Sequence, residues 1–401
     1  MTMGKARKYM AVVALLAAVA LVVTGCGGAT TGGGAATGAK VTIGIGAPLT
    51  DGAVALGKGM VRGANLAITQ ANATQEVKDL GLTIASVEGD DKGDPTTGGN
   101  VATQFASNPT LVGVMGHLNS GVTRVAVKIY NQANIVQVSP ANTAVDLTQM
   151  GMTNYFRVCA NDAVQGPAGA DYAFKKGGFK KAFVVDDSTP YGVGLADEWS
   201  KQFTADGGAV AGREKTSDKD TDFKSLVTKI KAQGVDLVYY GGIYNSGALL
   251  SKQLKEGGVN VPLMGGDGLF DPAYIKLAGA AIAKGDLATS VGLPTDQMPK
   301  GQDFIAAYKA AYPSEEIAAY DAYSFDAANV IIKAIISVAK SMGADKVTTT
   351  EGKKAIIAAV AKTNFEGVSG TVSFDAHGDT TNKAITTYVV GADGNWAPAA
   401  K

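Results

Sequence analysis

Three consecutive stretches, Val41-Thr-Ile-Gly-Ile45, Gly57 to Asn72 and Leu82-Thr-Ile-Ala-Ser-Val87, decide the fold. The first and third are short β-branched runs. Between them Met60, Ala64, Ala67, Ile68 and Ala71 recur at spacings of three and four, which puts them on one helical face. Strand, helix and strand in that order make a βαβ unit, the building block of parallel sheet. The alternation persists along the chain. Asp94 before Pro95 reads as an N-cap, with Val101 and Phe105 lining the buried side of a helix that runs up to Asn108. Leu111 to Met115 reads as a third strand, and Ser120 as the cap of a helix ending near Gln132.

A second set of the same units follows at Lys181-Ala-Phe-Val-Val-Asp186, Ala209 to Glu214, Asp236 to Tyr240 and Pro262 to Gly265, separated by amphipathic helices. One of these, Gly247 to Glu256, carries Leu250 and Leu254 one turn apart. Further on, Phe304 to Ala311, Tyr320 to Ser341 and Thr350 to Ala361 read as helices, and Gly370 to Phe374 and Ala384 to Val390 as late strands. No long Pro-rich linker separates the halves. The expectation is an α/β protein of two Rossmann-like lobes with parallel sheets, joined by a hinge on short crossing segments.

Composition excludes several functions. The 401 residues hold 36 Lys+Arg against 36 Asp+Glu, so the chain lacks the basic excess with which nucleic-acid binders displace counterions. With 46% hydrophobic and 18% charged residues, the composition is globular. Two cysteines and two histidines, far apart in sequence, supply neither a structural metal centre nor a disulfide framework. We therefore expect no metal and no cofactor.

The N-terminus has three parts: basic Lys5, Arg7 and Lys8, an apolar run from Met10 to Val23, and Thr24-Gly25-Cys26. The run is 14 residues, short of the roughly 20 needed to span a bilayer, so residues 1–25 read as an export signal and not as a permanent membrane helix. Small residues before a cysteine resemble the lipobox of bacterial lipoproteins, which makes Cys26 the expected lipid attachment point. A secreted protein without lipid is the alternative. Residues 26–39 are rich in Gly, with Ala and Thr, and read as a flexible tether. Removal of the signal leaves the mature chain at a net charge of −3.

Catalytic motifs are weak. Gly57-Lys-Gly59-Met-Val-Arg-Gly63 imitates a dinucleotide fingerprint but lies about ten residues past the first strand, where glycines serve close helix packing instead. His117 precedes Ser120 by three residues, yet no acid–base set accompanies it, and it reads as a loop histidine with satisfied hydrogen bonds; His377 reads as part of a surface turn. Asp90, Asp91 and Asp94 read as turn and cap residues. No catalytic residue is expected.

Together, Gly46-Ala-Pro-Leu-Thr50, Gly116-His-Leu-Asn-Ser-Gly121, Ser139-Pro-Ala-Asn-Thr-Ala144, Gln165-Gly-Pro167, Tyr191-Gly192, Val238-Tyr-Tyr-Gly-Gly242, Met264-Gly-Gly-Asp267 and Ser373-Phe-Asp-Ala-His-Gly-Asp379 carry a resemblance. In order and spacing they resemble the leucine/isoleucine/valine-binding group of extracytoplasmic solute-binding proteins of ABC importers, from about Lys40 to the C-terminus. The resemblance implies the type I periplasmic binding fold, a Venus-flytrap with lobe 1 at 40–161 and 291–381 and lobe 2 at 162–290 and 382–401. It implies an amino-acid site in which Ser120 and Thr143 hold the carboxylate, with Asn119 alongside. The Ala141 carbonyl, the Thr143 hydroxyl and Asp267 cage the ammonium, and Tyr191 and Tyr244 supply an aromatic wall. Leu56 and Ile243 stand where the family often has aromatics, Asn142 replaces a small apolar residue beside the cage, and Asp267 replaces a longer Glu. Two positions that form a disulfide in some relatives align with Gly93 and Asn119, which leaves Cys159 as a buried hydrophobe. The implied protein is a monomeric lipoprotein anchored outside the cell membrane, delivering a small neutral, branched-chain amino acid to permease subunits. An amide, a urea-like compound or an aromatic acid as ligand, and a ligand sensor for a signalling receptor, are the alternatives.

Overall fold

The computed structural model describes residues 38–400. The export signal, Cys26 and nearly all of the tether lie outside these residues. Five parallel strands form the first sheet: β1 (Ala39–Ala47), β2 (Leu82–Asp90), β3 (Leu111–Gly116), β4 (Val136–Ser139) and β5 (Tyr155–Arg157), in the order β2-β1-β3-β4-β5. The second sheet holds β6 (Lys181–Asp186), β7 (Ala209–Lys215), β8 (Leu237–Gly241), β9 (Leu263–Gly265) and β10 (Leu287–Ser290), all parallel. A small hairpin, β11 (Asn364–Glu366) and β12 (Thr371–Ser373), stands apart from both. The chain then adds β13 (Thr386–Val390) antiparallel to β10, and β14 (Trp396–Pro398) antiparallel to β13, at the edge of the second sheet.

Both sheets are doubly wound. The first reverses its strand order between β1 and β3, the second between β6 and β8. Ligand clefts in such sheets open beyond the carboxyl ends of the strands at these switch points, where loops diverge to opposite faces. The loops after β1, β3, β6 and β8 are thereby the ones placed to make a site, with those after β4 and β9 beside them.

Six helices matter for that site: α1 (Val54–Ala73), α2 (Ser120–Gln132), α3 (Asp162–Asp171), α4 (Pro190–Ala205), α5 (Tyr244–Glu256) and α6 (Asp321–Met342). α6 packs on α1 and on β3 and β4, so the chain returns to the first sheet after building most of the second. By length and composition α6 would cross a membrane, but its Ile331, Ile335 and Val338 are core residues. The glycines of the imitation fingerprint explain the α1–α6 contact. A methyl group on Gly59 would meet Asp321 Oδ1 at 2.0 Å, and one on Gly63 would meet the Asp321 carbonyl at 2.1 Å. The second sheet is anchored by Trp199 of α4, fully buried and stacked on Phe203 and Tyr239 with ring centroids 4.5 and 4.3 Å away.

The structure corrects two local readings. Asn119, and not Ser120, occupies the N-cap of α2, and no side chain caps that helix. Helix α5 begins at Tyr244, three residues before Gly247, so Tyr244 belongs to its first turn. Asp94 does cap its helix, accepting from the Thr97 N–H at 2.8 Å. The remaining cysteine of the described residues, Cys159, is free and buried, with its thiol directed at the Asn142 carbonyl at 3.5 Å. Burial pushes that thiol far up from its ordinary value, so little thiolate forms. Maleimide labelling followed by peptide mapping should therefore leave Cys159 unmodified in the native protein and modify it only after unfolding.

Candidate functional site

A small cleft lies where the carboxyl ends of the two sheets meet. From the first-sheet side come Leu56, Leu118, Asn119, Ser120 and Ala141, with Tyr320 from the turn leading into α6; the second sheet contributes Tyr191, Ile243, Asp267 and Gly268. The cleft is small: its free space, the open mouth included, is about 300 Å³.

One end of the cleft is positive without carrying a charged side chain. Ser120 is the first residue of the 13-residue α2, and with no side-chain cap the amides of the first turn remain free to meet an anion. Its hydroxyl has only a weak partner, the Ala144 N–H at 3.4 Å. The loop beneath is stitched to its neighbour. Asn142 donates to the Leu118 carbonyl at 2.6 Å, and Ser139 Oγ accepts from the Ala141 and Asn142 amides at 3.2 and 2.9 Å. Asn142 thus turns into the first lobe and not toward the cleft, where the alignment had placed it. His117 is fully buried, flanked by Asp91 at 2.6 Å and the Tyr130 hydroxyl at 2.9 Å. It braces this loop and forms no pair with Ser120.

The other end is acidic. Asp267 follows β9 and is 1% exposed. Its carboxylate accepts from the Tyr191 hydroxyl at 2.8 Å and from the Tyr320 hydroxyl at 2.5 Å. Its backbone N–H donates to Gln165 Oε1 at 3.0 Å. Burial pushes the carboxyl up to about 6, against the pull of the Tyr320 and Tyr191 hydroxyls. Tyr320 and Asp267 stand on opposite sides of the cleft, so their bond also ties the lobes together.

Six of the eight residues expected to bind ligand line this cleft: Leu56, Asn119, Ser120, Ala141, Tyr191 and Asp267. Thr143 and Tyr244 do not. Thr143 is fully buried just behind, its hydroxyl beside the Asp162 carboxylate and its carbonyl accepting from the Asp162 N–H at 2.8 Å. Tyr244 reaches across to the first turn of α1, its hydroxyl accepting from the Ala55 N–H at 3.3 Å. Gly93 and Asn119, aligned with a disulfide of some relatives, are indeed neighbours: a methyl group on Gly93 would lie 3.2 Å from Asn119 Oδ1. Tyr320 and Leu118 were missed. Tyr320 gave no signal, because it reaches Asp267 from 53 residues away in sequence.

Two doubly wound lobes enclosing a small cleft, polar at both ends and apolar between, define a ligand-binding protein of the hinge type. The comparisons agree. The family model "Periplasmic binding protein" matches residues 40–395. The Leu/Ile/Val-binding protein homolog 1 of Brucella melitensis is 32% identical over 360 residues, covering 89% of this chain and 93% of the relative. Among solved structures, a leucine binding protein, LivK, from Thermotoga maritima superposes with a TM-score of 0.80 at 27% identity, over 90% of this chain and 98% of that one. LivJ of Streptococcus pneumoniae, a branched-chain amino acid transporter substrate binding protein solved with isoleucine, gives 0.78 at 26% identity, with the same coverage. This chain belongs to the periplasmic binding protein family, as a solute-binding protein of the branched-chain amino acid type.

Proposed function

We propose that this chain captures a small neutral amino acid, branched-chain by preference, between its lobes and delivers it to the transmembrane subunits of an ABC importer. In this reading it is a monomer held to the outer face of the cell membrane by a lipid on Cys26, and it makes and breaks no bond. The lobes divide at 161/162, 290/291 and 381/382. One observation carries the reading: within a single cavity of at most about 300 Å³, an uncapped helix N-terminus with Ser120 faces a buried carboxylate, Asp267. That polarity is the complement of a zwitterion, with its carboxylate on α2 and its ammonium on the Ala141 carbonyl, Thr143 and Asp267. Between the ends, Leu56, Leu118 and Ile243 offer an aliphatic wall. Because Ser120 and Asp267 belong to different lobes, a bridging ligand contacts the closed state more fully than the open one and shifts the equilibrium toward closure.

Native mass spectrometry of freshly purified protein tests the assignment. Retention of a species at the mass of leucine, isoleucine or valine is the expected result. A retained ligand without an amino group would move the assignment to an amide or an aromatic acid, and Asp267→Asn would then leave affinity unchanged.

A further inference from the structure

Helix α1 starts without a cap of its own. Ala53 holds the N-cap position and has no side-chain oxygen to offer, no acidic residue stands in the first turn, and the Gly57 N–H makes the first helical bond, to the Ala53 carbonyl at 3.0 Å. The amides of Val54, Ala55 and Leu56 therefore need partners from outside the helix. One partner comes from the other sheet. Tyr244, the first residue of α5, presents its hydroxyl to the Ala55 N–H at 3.3 Å across 189 positions of sequence. Both residues stand at switch points, since α1 follows β1 and α5 follows β8. Their neighbours in the chain, Leu56 and Ile243, line the cleft, whereas Tyr244 itself does not.

We propose that Tyr244 is a positioning residue for ligand capture: when the lobes close, its hydroxyl becomes the N-terminal cap of α1, and this bond sets Leu56 and Ile243 in register on the two sides of the bound ligand. This extends the capture of an amino acid between the lobes and rests on that reading. Opening the cleft draws α5 away from α1, and a bond of 3.3 Å does not survive a further separation of about 1 Å. Closure thus gains a hydrogen bond that the open form lacks, and a contact made in one state only shifts the equilibrium toward that state. Burial raises the Tyr244 phenol above its ordinary value, so the group stays a neutral hydroxyl with a lone pair available to Ala55. Tyr320 also spans the cleft, but it bonds Asp267, and changing it would alter the acidic end of the site. The Tyr244 hydroxyl bonds main chain instead, which separates closure from ligand contact.

Tyr244→Phe keeps the ring and deletes only the hydroxyl. In the full chain this variant should bind L-leucine about threefold to tenfold more weakly, with the loss carried by faster dissociation and an association rate within about twofold of the wild type in stopped-flow mixing. Its melting temperature without ligand should fall by less than about 3 °C. An unchanged dissociation rate, or a loss confined to association, would overturn the proposal. A larger fall in melting temperature would make Tyr244 a packing residue of its own lobe and contradict it as well. Amide hydrogen exchange, resolved to single residues by mass spectrometry, reads the contact itself. In the wild type, Ala55 should exchange about tenfold more slowly than in Tyr244→Phe, while Ala64 and Ala67 further along α1 exchange alike in both. Equal rates at Ala55 in the two proteins would contradict the cap. If leucine gives no heat with the wild type, the branched-chain reading falls, and the exchange comparison on the protein alone still judges the cap.

Discussion

Replacing both Ser120 and Thr143 by Ala should weaken leucine binding by more than about a hundredfold while leaving the melting temperature of the ligand-free protein nearly unchanged. Each hydroxyl is read as a hydrogen bond to a charged ligand group, worth about 1.5 to 3 kcal/mol apiece, and two such bonds exceed the 2.8 kcal/mol of a hundredfold change. The stability half of the prediction follows from how few bonds these groups make. The Thr143 hydroxyl is buried beside the Asp162 carboxylate, and the Ser120 hydroxyl accepts one long bond from the Ala144 N–H at 3.4 Å. Neither hydroxyl belongs to the hydrogen bonds that stitch the loop to its neighbour, so truncating both costs little beyond the packing of the Thr143 methyl group, and affinity and stability separate. Isothermal titration beside a thermal melt reads both. A double variant that binds like the wild type would place the carboxylate elsewhere.

Arg157→Met should destabilise the protein by about 3 to 5 kcal/mol, as removal of one partner from a buried ion pair does. The guanidinium is fully buried, at the end of the strand where the chain leaves the first sheet. Besides pairing with Asp379, it donates to the Asn142 and Ala144 carbonyls at 3.1 and 2.7 Å and to Thr148 Oγ1 at 3.3 Å. One side chain thus fixes the loop that carries Ala141 and Thr143 and the turn around Asp379. The variant should lose ligand affinity as well as stability. Chemical denaturation checks the first, and the combined change Arg157→Met with Asp379→Asn should be less damaging than Arg157→Met alone, because it leaves no uncompensated charge.

Much of this molecule is legible in its sequence, for physical reasons. Long helices with an apolar stripe and β-branched strands buried on both faces leave strong periodic signals, so β1, β3 and β6 and the helix over residues 120–132 emerge within two residues of their observed ends. Short strands carrying buried polar groups leave none. β4 contains Gln137 and Ser139, both fully buried, with Gln137 Nε2 donating to the Gly116 carbonyl and Thr123 and Ser139 Oγ accepting from the Ala141 and Asn142 amides, and β5 contains Arg157. Hydrogen bonds to distant loops, and not hydrophobic period, make those segments strands.

The site divides the same way. Ser120, Ala141 and Asp267 follow strands directly, so their place at the strand ends is written in local order. Tyr320 stands beside a helix start, where tyrosine is ordinary. Its meaning comes only from what the fold sets against it, the Asp267 carboxylate.

Calorimetric titration of the purified protein with leucine, isoleucine and valine tests the central claim most directly, namely that the cleft between the two sheets captures an aliphatic amino acid. One ligand bound per chain, with a melting temperature that rises as ligand is added, is the predicted result. No heat and no thermal shift with any of the three at millimolar concentration would contradict it.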